Sequence, residues 1–184
     1  MRSLKLGFVA FAALLLSGCG YNTLQSQDEQ VKASWAEVLN QYQRRADLIP
    51  NLVNTVKGAV AAEQGILEAV VNARAKAMSA GSAKDTAAAE NALTGTLKSL
   101  FALAESYPQL RGSEQFTGLQ QSLSSIEEAL QGARRYYNAS VRDLNTSVRM
   151  FPWNLLAGVA GARPREFFEI SDAAERAVPS VKMS

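Results

Sequence analysis

The stretch SEQFTGLQQSLSSIEEALQGARRYYNASVRDLNTSVRM, residues 113–150, decides the fold class. Its apolar residues Phe116, Leu119, Leu123, Ile126, Leu130, Ala133, Tyr137, Val141, Leu144 and Val148, continuing to Phe151, are separated by steps of three and four. Such steps place them on one stripe of an α-helix. Ser113 is a suitable N-cap, with Glu114 in the first turn where a negative charge meets the positive end of the helix. Two successive steps of four, from Ala133 through Tyr137 to Val141, form a stutter that relaxes any left-handed supercoil. At 1.5 Å per residue the helix runs about 57 Å.

The same period governs the chain upstream. Leu24, Val31, Trp35, Val38 and Tyr42 share one stripe, and Leu52, Val56, Val60, Leu67, Val70 and Ala77 form another, which ends in the loop SAGSAKD at 79–85. Asp85 is placed to cap a third helix carrying Ala89, Leu93, Thr96, Leu100, Leu103 and Tyr107. Pro108 stops that helix, because it lacks a backbone donor and disfavours helical geometry at the residue before it. Strand alternation is missing throughout.

Pro50 poses the harder question. The apolar phase Tyr42, Ala46, Ile49, Val53, Val56 passes through it unbroken, as in a kinked helix. Against this, Asp47 is placed to cap a new helix with Pro50 in its first turn, where a missing donor costs little. A continuous helix from Leu24 to Ser79 would reach about 84 Å and overhang the last helix. Residues 66–74 (ILEAVVNAR) also echo residues 126–134 (IEEALQGAR), with Pro50 matched to Pro108. The expectation is a corner at Pro50 and helices over residues 24–46, 48–79, 85–107 and 113–150. Each stripe needs cover, and an elongated antiparallel four-helix bundle supplies it. An apolar, non-helical tail, 151–184, follows.

Composition narrows the chemistry. The 184 residues suit one domain and 47% are hydrophobic, enough for an ordinary core. There is no histidine and one cysteine, so imidazole bases, Cys/His zinc sites and internal disulfides are excluded. Of the formal charge of +2, Arg2 and Lys5 supply the whole excess. The remaining chain is balanced and has no basic face for nucleic acid. No cofactor or metal is expected. A hydrolase built on Glu63, Glu68, Glu127 and Glu128 is the enzymatic alternative, but Glu127 and Glu128 diverge on their helix and read as a solvated face with Arg134 and Arg135.

The single cysteine lies behind the apolar run LGFVAFAALLL, residues 6–16, which follows the basic Arg2 and Lys5. That run is of signal-peptide length and shorter than the roughly 20 residues that span a bilayer; an uncleaved anchor continuing to Tyr21 is the alternative. Leu16-Ser17-Gly18-Cys19 resembles the lipobox of bacterial lipoprotein precursors. The resemblance implies a signal peptide over 1–18, a lipidated Cys19, a short linker over 19–23 and a place on the extracytoplasmic face of a membrane. Gly20 stands where an aspartate would suggest inner-membrane retention in enteric-type sorting, which leaves inner and outer membrane both open.

Read together, Tyr21-Asn22, the segment RRADLIPNLV at 44–53 with Val56-Lys57-Gly58, Ala73-Arg74, Tyr107-Pro108-Gln109-Leu110, Ala133-Arg134, Tyr137-Asn138 and Phe151-Pro152 resemble the LemA family of bacterial envelope proteins. The likeness implies an all-helical bundle, and a relative is linked to magnetosome membrane biogenesis. The chain departs from many relatives in having a lipobox in place of an ordinary transmembrane helix, and Leu144 in place of a tyrosine. The functional expectation is a non-enzymatic module of the envelope that binds protein partners, with homo-oligomeric assembly as the alternative. Arg44, Arg45, Asp47, Pro50 and Asn51 form the candidate corner, where one arginine pairs with Asp47 and the other meets an acidic partner or lipid headgroup. Trp153, Leu155, Leu156, Phe167 and Phe168 either cap the bundle end or form a docking surface.

Overall fold

A computed structural model describes residues 2–58 and 63–168, with side chains from residue 20 onward. Cys19 and the apolar run before it therefore lie outside the residues whose side chains are described, as do Val60 and the end of the tail. Among the described residues the chain is all-α, with helices α1 (Arg2–Lys57), α2 (Gln64–Ser79), α3 (Ala83–Glu105), α4 (Pro108–Arg111), α5 (Glu114–Arg149) and α6 (Trp153–Ala157). The chain divides into two compact units, one of Met1–Asn40 with Leu130–Phe167, the other of Gln41–Ala129 with Phe168–Ser184.

The expected corner at Pro50 is absent, because α1 continues to Lys57 with Pro50 inside it. Phase decides, and the two objections are met elsewhere. The helix breaks after Lys57, so Leu24 to Lys57 covers about 51 Å, close to the about 54 Å of α5. The proline removes the N–H that would have bonded the carbonyl of Ala46, four residues back. Arg74 of α2 replaces it, its Nε donating to the Ala46 oxygen at 2.7 Å. Asp47 is no cap; its exposed carboxylate accepts from Gln43 Nε2 at 2.7 Å.

In the second unit, Ile49, Leu52 and Val56 of α1 meet Leu67, Val70 and Ala73 of α2, Leu93, Leu97 and Leu100 of α3, Leu110 of α4, and Phe116 and Leu123 of α5 in one apolar core. Helix α3 begins at Ser82, whose hydroxyl accepts from the Asp85 amide at 3.1 Å and donates to Asp85 Oδ2 at 2.7 Å. Ser82, not Asp85, is thus the N-cap. Ser113 does cap α5, accepting from the Phe116 amide at 3.3 Å. Pro108 opens α4 in the position where its missing donor is harmless.

In the first unit, α1 buries Leu24, Val31 and Val38, while α5 buries Leu130, Tyr137, Val141 and Leu144. Trp35 and Tyr137 stack with ring centres 5.1 Å apart. Residues 20–23, expected as a linker, belong to α1. The tail is not wholly irregular either: α6 forms one short helix because Asn154 N reaches Met150 O at 2.8 Å and the turn is carried on by Ala160 N to Leu156 O at 2.8 Å. Beyond it the chain has no regular secondary structure and is held by Asn145, which donates to Arg165 O at 2.9 Å and accepts from Arg165 N at 2.8 Å. Tyr137 donates its hydroxyl proton to Glu166 O at 2.9 Å.

Candidate functional site

The candidate corner residues separate by face. Arg45, 5% exposed, points into the second unit, where its Nη1 lies 3.2 Å from Glu90 Oε2 on α3 and 3.3 Å from Glu127 Oε2 on α5. Its Nη2 donates to Thr94 Oγ1 at 2.9 Å. Thr94 in turn donates to the Glu90 carbonyl at 2.9 Å. One guanidinium thus joins three helices. Planar and always charged, arginine suits a buried pairing of this kind better than lysine. Neither arginine pairs with Asp47 in the expected way, and Glu127 leaves the expected solvated face to join the cluster.

Arg44 is exposed and donates to Gln41 Oε1 at 3.3 Å. It lines a groove of about 480 Å³ with Asp47, Leu48, Ser122, Ser125, Ile126 and Ala129. Pro50 and Asn51 are exposed, and the Asn51 carbonyl accepts from Thr55 Oγ1 at 2.8 Å. This face offers a shallow mixed surface. A second groove of about 580 Å³ lies between α1 and α2, lined by Val53, Lys57, Gln64, Leu67, Glu68, Val71 and Asn72.

The tail residues also divide. Phe168 is buried and packs on Tyr42, ring centres 6.3 Å apart. Trp153 and Leu156 are half-buried against Gly20, so closely that a Cβ there would stand 2.8 Å from Trp153 Cδ1 and 2.9 Å from Leu156 Cδ1. Leu155 and Phe167 face outward, as do Val159 and Phe151, the latter expected at the end of the α5 stripe. A glycine opposite a tryptophan had no signal in a single sequence. Nor did the inward position of Glu90, although its spacing from Leu93, Leu97 and Leu100 fits the α3 stripe; its charge argued for solvent.

The first unit carries a second ionic contact. Arg165 Nη2 meets Asp28 Oδ1 at 2.8 Å, and Lys32 meets Asp28 Oδ2 at 2.9 Å. Burial pushes the Asp28 carboxyl up, but hydrogen bonds from Arg165 and Lys32 prevail and hold its pKa below the ordinary aspartate value. Burial raises the Tyr137 hydroxyl above its ordinary value, partly opposed by the charge of Arg165. Among the described residues no group of three or more acidic, histidine or cysteine side chains is arranged to hold a metal ion. Among the same residues no helix is long and apolar enough to cross a membrane.

The fold and these contacts define an all-helical protein whose buried polar groups tie helices together. Its family is shown by sequence comparison: the chain belongs to the LemA family, whose model matches residues 34–183. It is similar to magnetosome protein MamQ 2 of Paramagnetospirillum magneticum, at 28% identity covering 92% of this chain and 71% of the relative. Magnetosome protein MamQ of Magnetospirillum gryphiswaldense is 25% identical over the same shares of the two chains.

Proposed function

We propose that this chain is a lipid-anchored, non-enzymatic contact module of the cell envelope, tethered through Cys19 on the extracytoplasmic face of a membrane. The observation that carries the reading is the seat of Gly20 beneath Trp153 and Leu156. The residue next to the attachment point belongs to the folded body, so an acyl group on Cys19 would fix that body close to the lipid. Two or more acyl chains hold a protein stably, whereas one binds reversibly. The buried Arg45 and Glu90, with the partly exposed Glu127, support a structural role, because the carboxylates face a guanidinium already engaged. The names of the relatives, as magnetosome proteins, favour a place on a membrane-bounded structure. Protein partners meet the exposed face of Arg44 and Asp47.

Detergent phase partitioning of the full chain, with and without Cys19→Ala, tests the anchor. The wild type is expected in the detergent phase with a mass increase at residue 19, and the variant to be processed differently. A variant that matures at the same site and still enters the detergent phase rules out lipidation at Cys19. Crosslinking in intact cells then reads the neighbours.

A further inference from the structure

The exposed apolar side chains concentrate at α6. Phe151 is 77% exposed, Leu155 68% and Val159 79%. Leu155 and Val159 are spaced by four residues across a segment that is helical in α6 and whose next residue, Gly158, keeps helical backbone angles, so they share one outward face, while Phe151 precedes α6, ahead of the cis Phe151–Pro152 bond. The opposite face is occupied: Trp153 and Leu156 lie on Gly20, Ala157 is buried, and the Ala160 carbonyl accepts from Gln25 Nε2 at 2.7 Å. The outward face is thus held rigidly against the helical turn that starts one residue after Cys19, whose Cα lies about 3.8 Å from that of Gly20. Between residues 149 and 168 the charged side chains are Arg149, Arg163, Arg165 and Glu166, all exposed; Arg165 is paired with Asp28, which leaves Arg149 and Arg163 against Glu166.

We propose that this face, Leu155 and Val159 with the exposed Phe151 ahead of it, seats in the headgroup region of an anionic bilayer beside the anchor and sets the orientation of the body on the membrane. The proposal rests on the envelope-anchor reading above. Three side chains give too little area to hold a protein on a membrane alone. Tethered within one turn of the lipid attachment, they need only choose a tilt. Apolar side chains enter the headgroup and acyl boundary by about 5–10 Å, and arginines beside them are drawn to anionic headgroups.

The test uses the full chain reconstituted in vesicles of phosphatidylethanolamine and phosphatidylglycerol, spin-labelled at Leu155→Cys or at Val159→Cys. Ala36→Cys is the reference, exposed on α1 about 24 Å along the helix from Gly20. With the Cys19 sulfur acylated, the introduced thiol alone takes the label. Labels at 155 and 159 are expected to collide several-fold less with a water-soluble nickel chelate than the label at 36, and more with oxygen. In phosphatidylcholine vesicles the protection is expected to shrink. Equal accessibility at 155, 159 and 36 in vesicles that carry the protein overturns the proposal and leaves the anchor standing. Spin–spin broadening that grows with protein density assigns the face to a second copy and likewise overturns it. Undiminished protection in phosphatidylcholine overturns the anionic preference. Protein that fails to float with vesicles overturns the anchor reading and this one with it.

Discussion

In the second unit the buried polar contacts around Arg45 are charged, two carboxylates against one guanidinium. The tail in the first unit is held at its backbone by neutral groups, the Asn145 amide and the Tyr137 hydroxyl, with one partly exposed ion pair, Arg165 to Asp28, beside them. The difference follows from what has to be joined. Three helices have no backbone groups to spare in mid-length, so only side chains can bridge them, and a planar cation with several donors does so from a single position. A tail outside helices and strands offers its own amides and carbonyls, which a side-chain amide matches without the desolvation cost of a charge.

Breaking the charged cluster is expected to have the largest effect. Arg45→Met leaves two carboxylates facing each other in a site where Glu90 is 2% exposed, and is expected to cost about 3–5 kcal/mol in urea unfolding. Adding Glu90→Leu is expected to recover much of that loss, since an apolar pair of similar volume carries no desolvation cost. Equal stability of the wild type and Arg45→Met would mean that the charges do not cooperate.

Next comes the proline in α1. Arg74→Met leaves the Ala46 carbonyl without its donor, with an expected loss of about 1–3 kcal/mol. Pro50→Ala restores an N–H at the right position, so the same arginine substitution is expected to cost clearly less in that background. A double-mutant cycle without coupling would separate the two residues.

Much of the helical pattern was legible because it depends only on period. The stripe of α5 is buried at Phe116, Leu123, Ile126, Leu130, Tyr137, Val141 and Leu144. Its last member, Phe151, is not; the chain has turned into the segment of α6 and left that ring in solvent. The phase through Pro50 was also legible, and was outweighed by a length argument that placed the break too early. What repaired the proline lay in another helix, as did the partners of Arg45. Pairing between helices depends on rotation and register, which one sequence does not display. The seat of Gly20 was hidden for the same reason.

The tail clamp is expected to be softer than the ion cluster. Asn145→Ala removes two hydrogen bonds to Arg165 and is expected to cost about 1–2 kcal/mol, with faster proteolysis near residues 163–168 while the rest of the chain stays protected. Loss of global stability as large as that of Arg45→Met would erase the contrast between the two regions.

The smallest effect concerns acid. Because the folded-state pKa of Asp28 is lowered, its contribution is present above the ordinary aspartate value of about 3.9 and is lost as pH falls below it. Thermal melts between neutral pH and pH 3 are expected to fall less steeply for Asp28→Asn than for the wild type. Parallel curves would assign the acid sensitivity to other carboxylates.

The bond from Arg74 to Ala46 has a consequence for how the chain is made. Synthesis delivers Pro50 before Arg74, so for an interval the nascent α1 carries a gap in its ladder that only solvent can fill. Its uninterrupted course is therefore a product of docking, and a ribosome-held fragment ending before α2 is expected to fray around that gap until the guanidinium arrives.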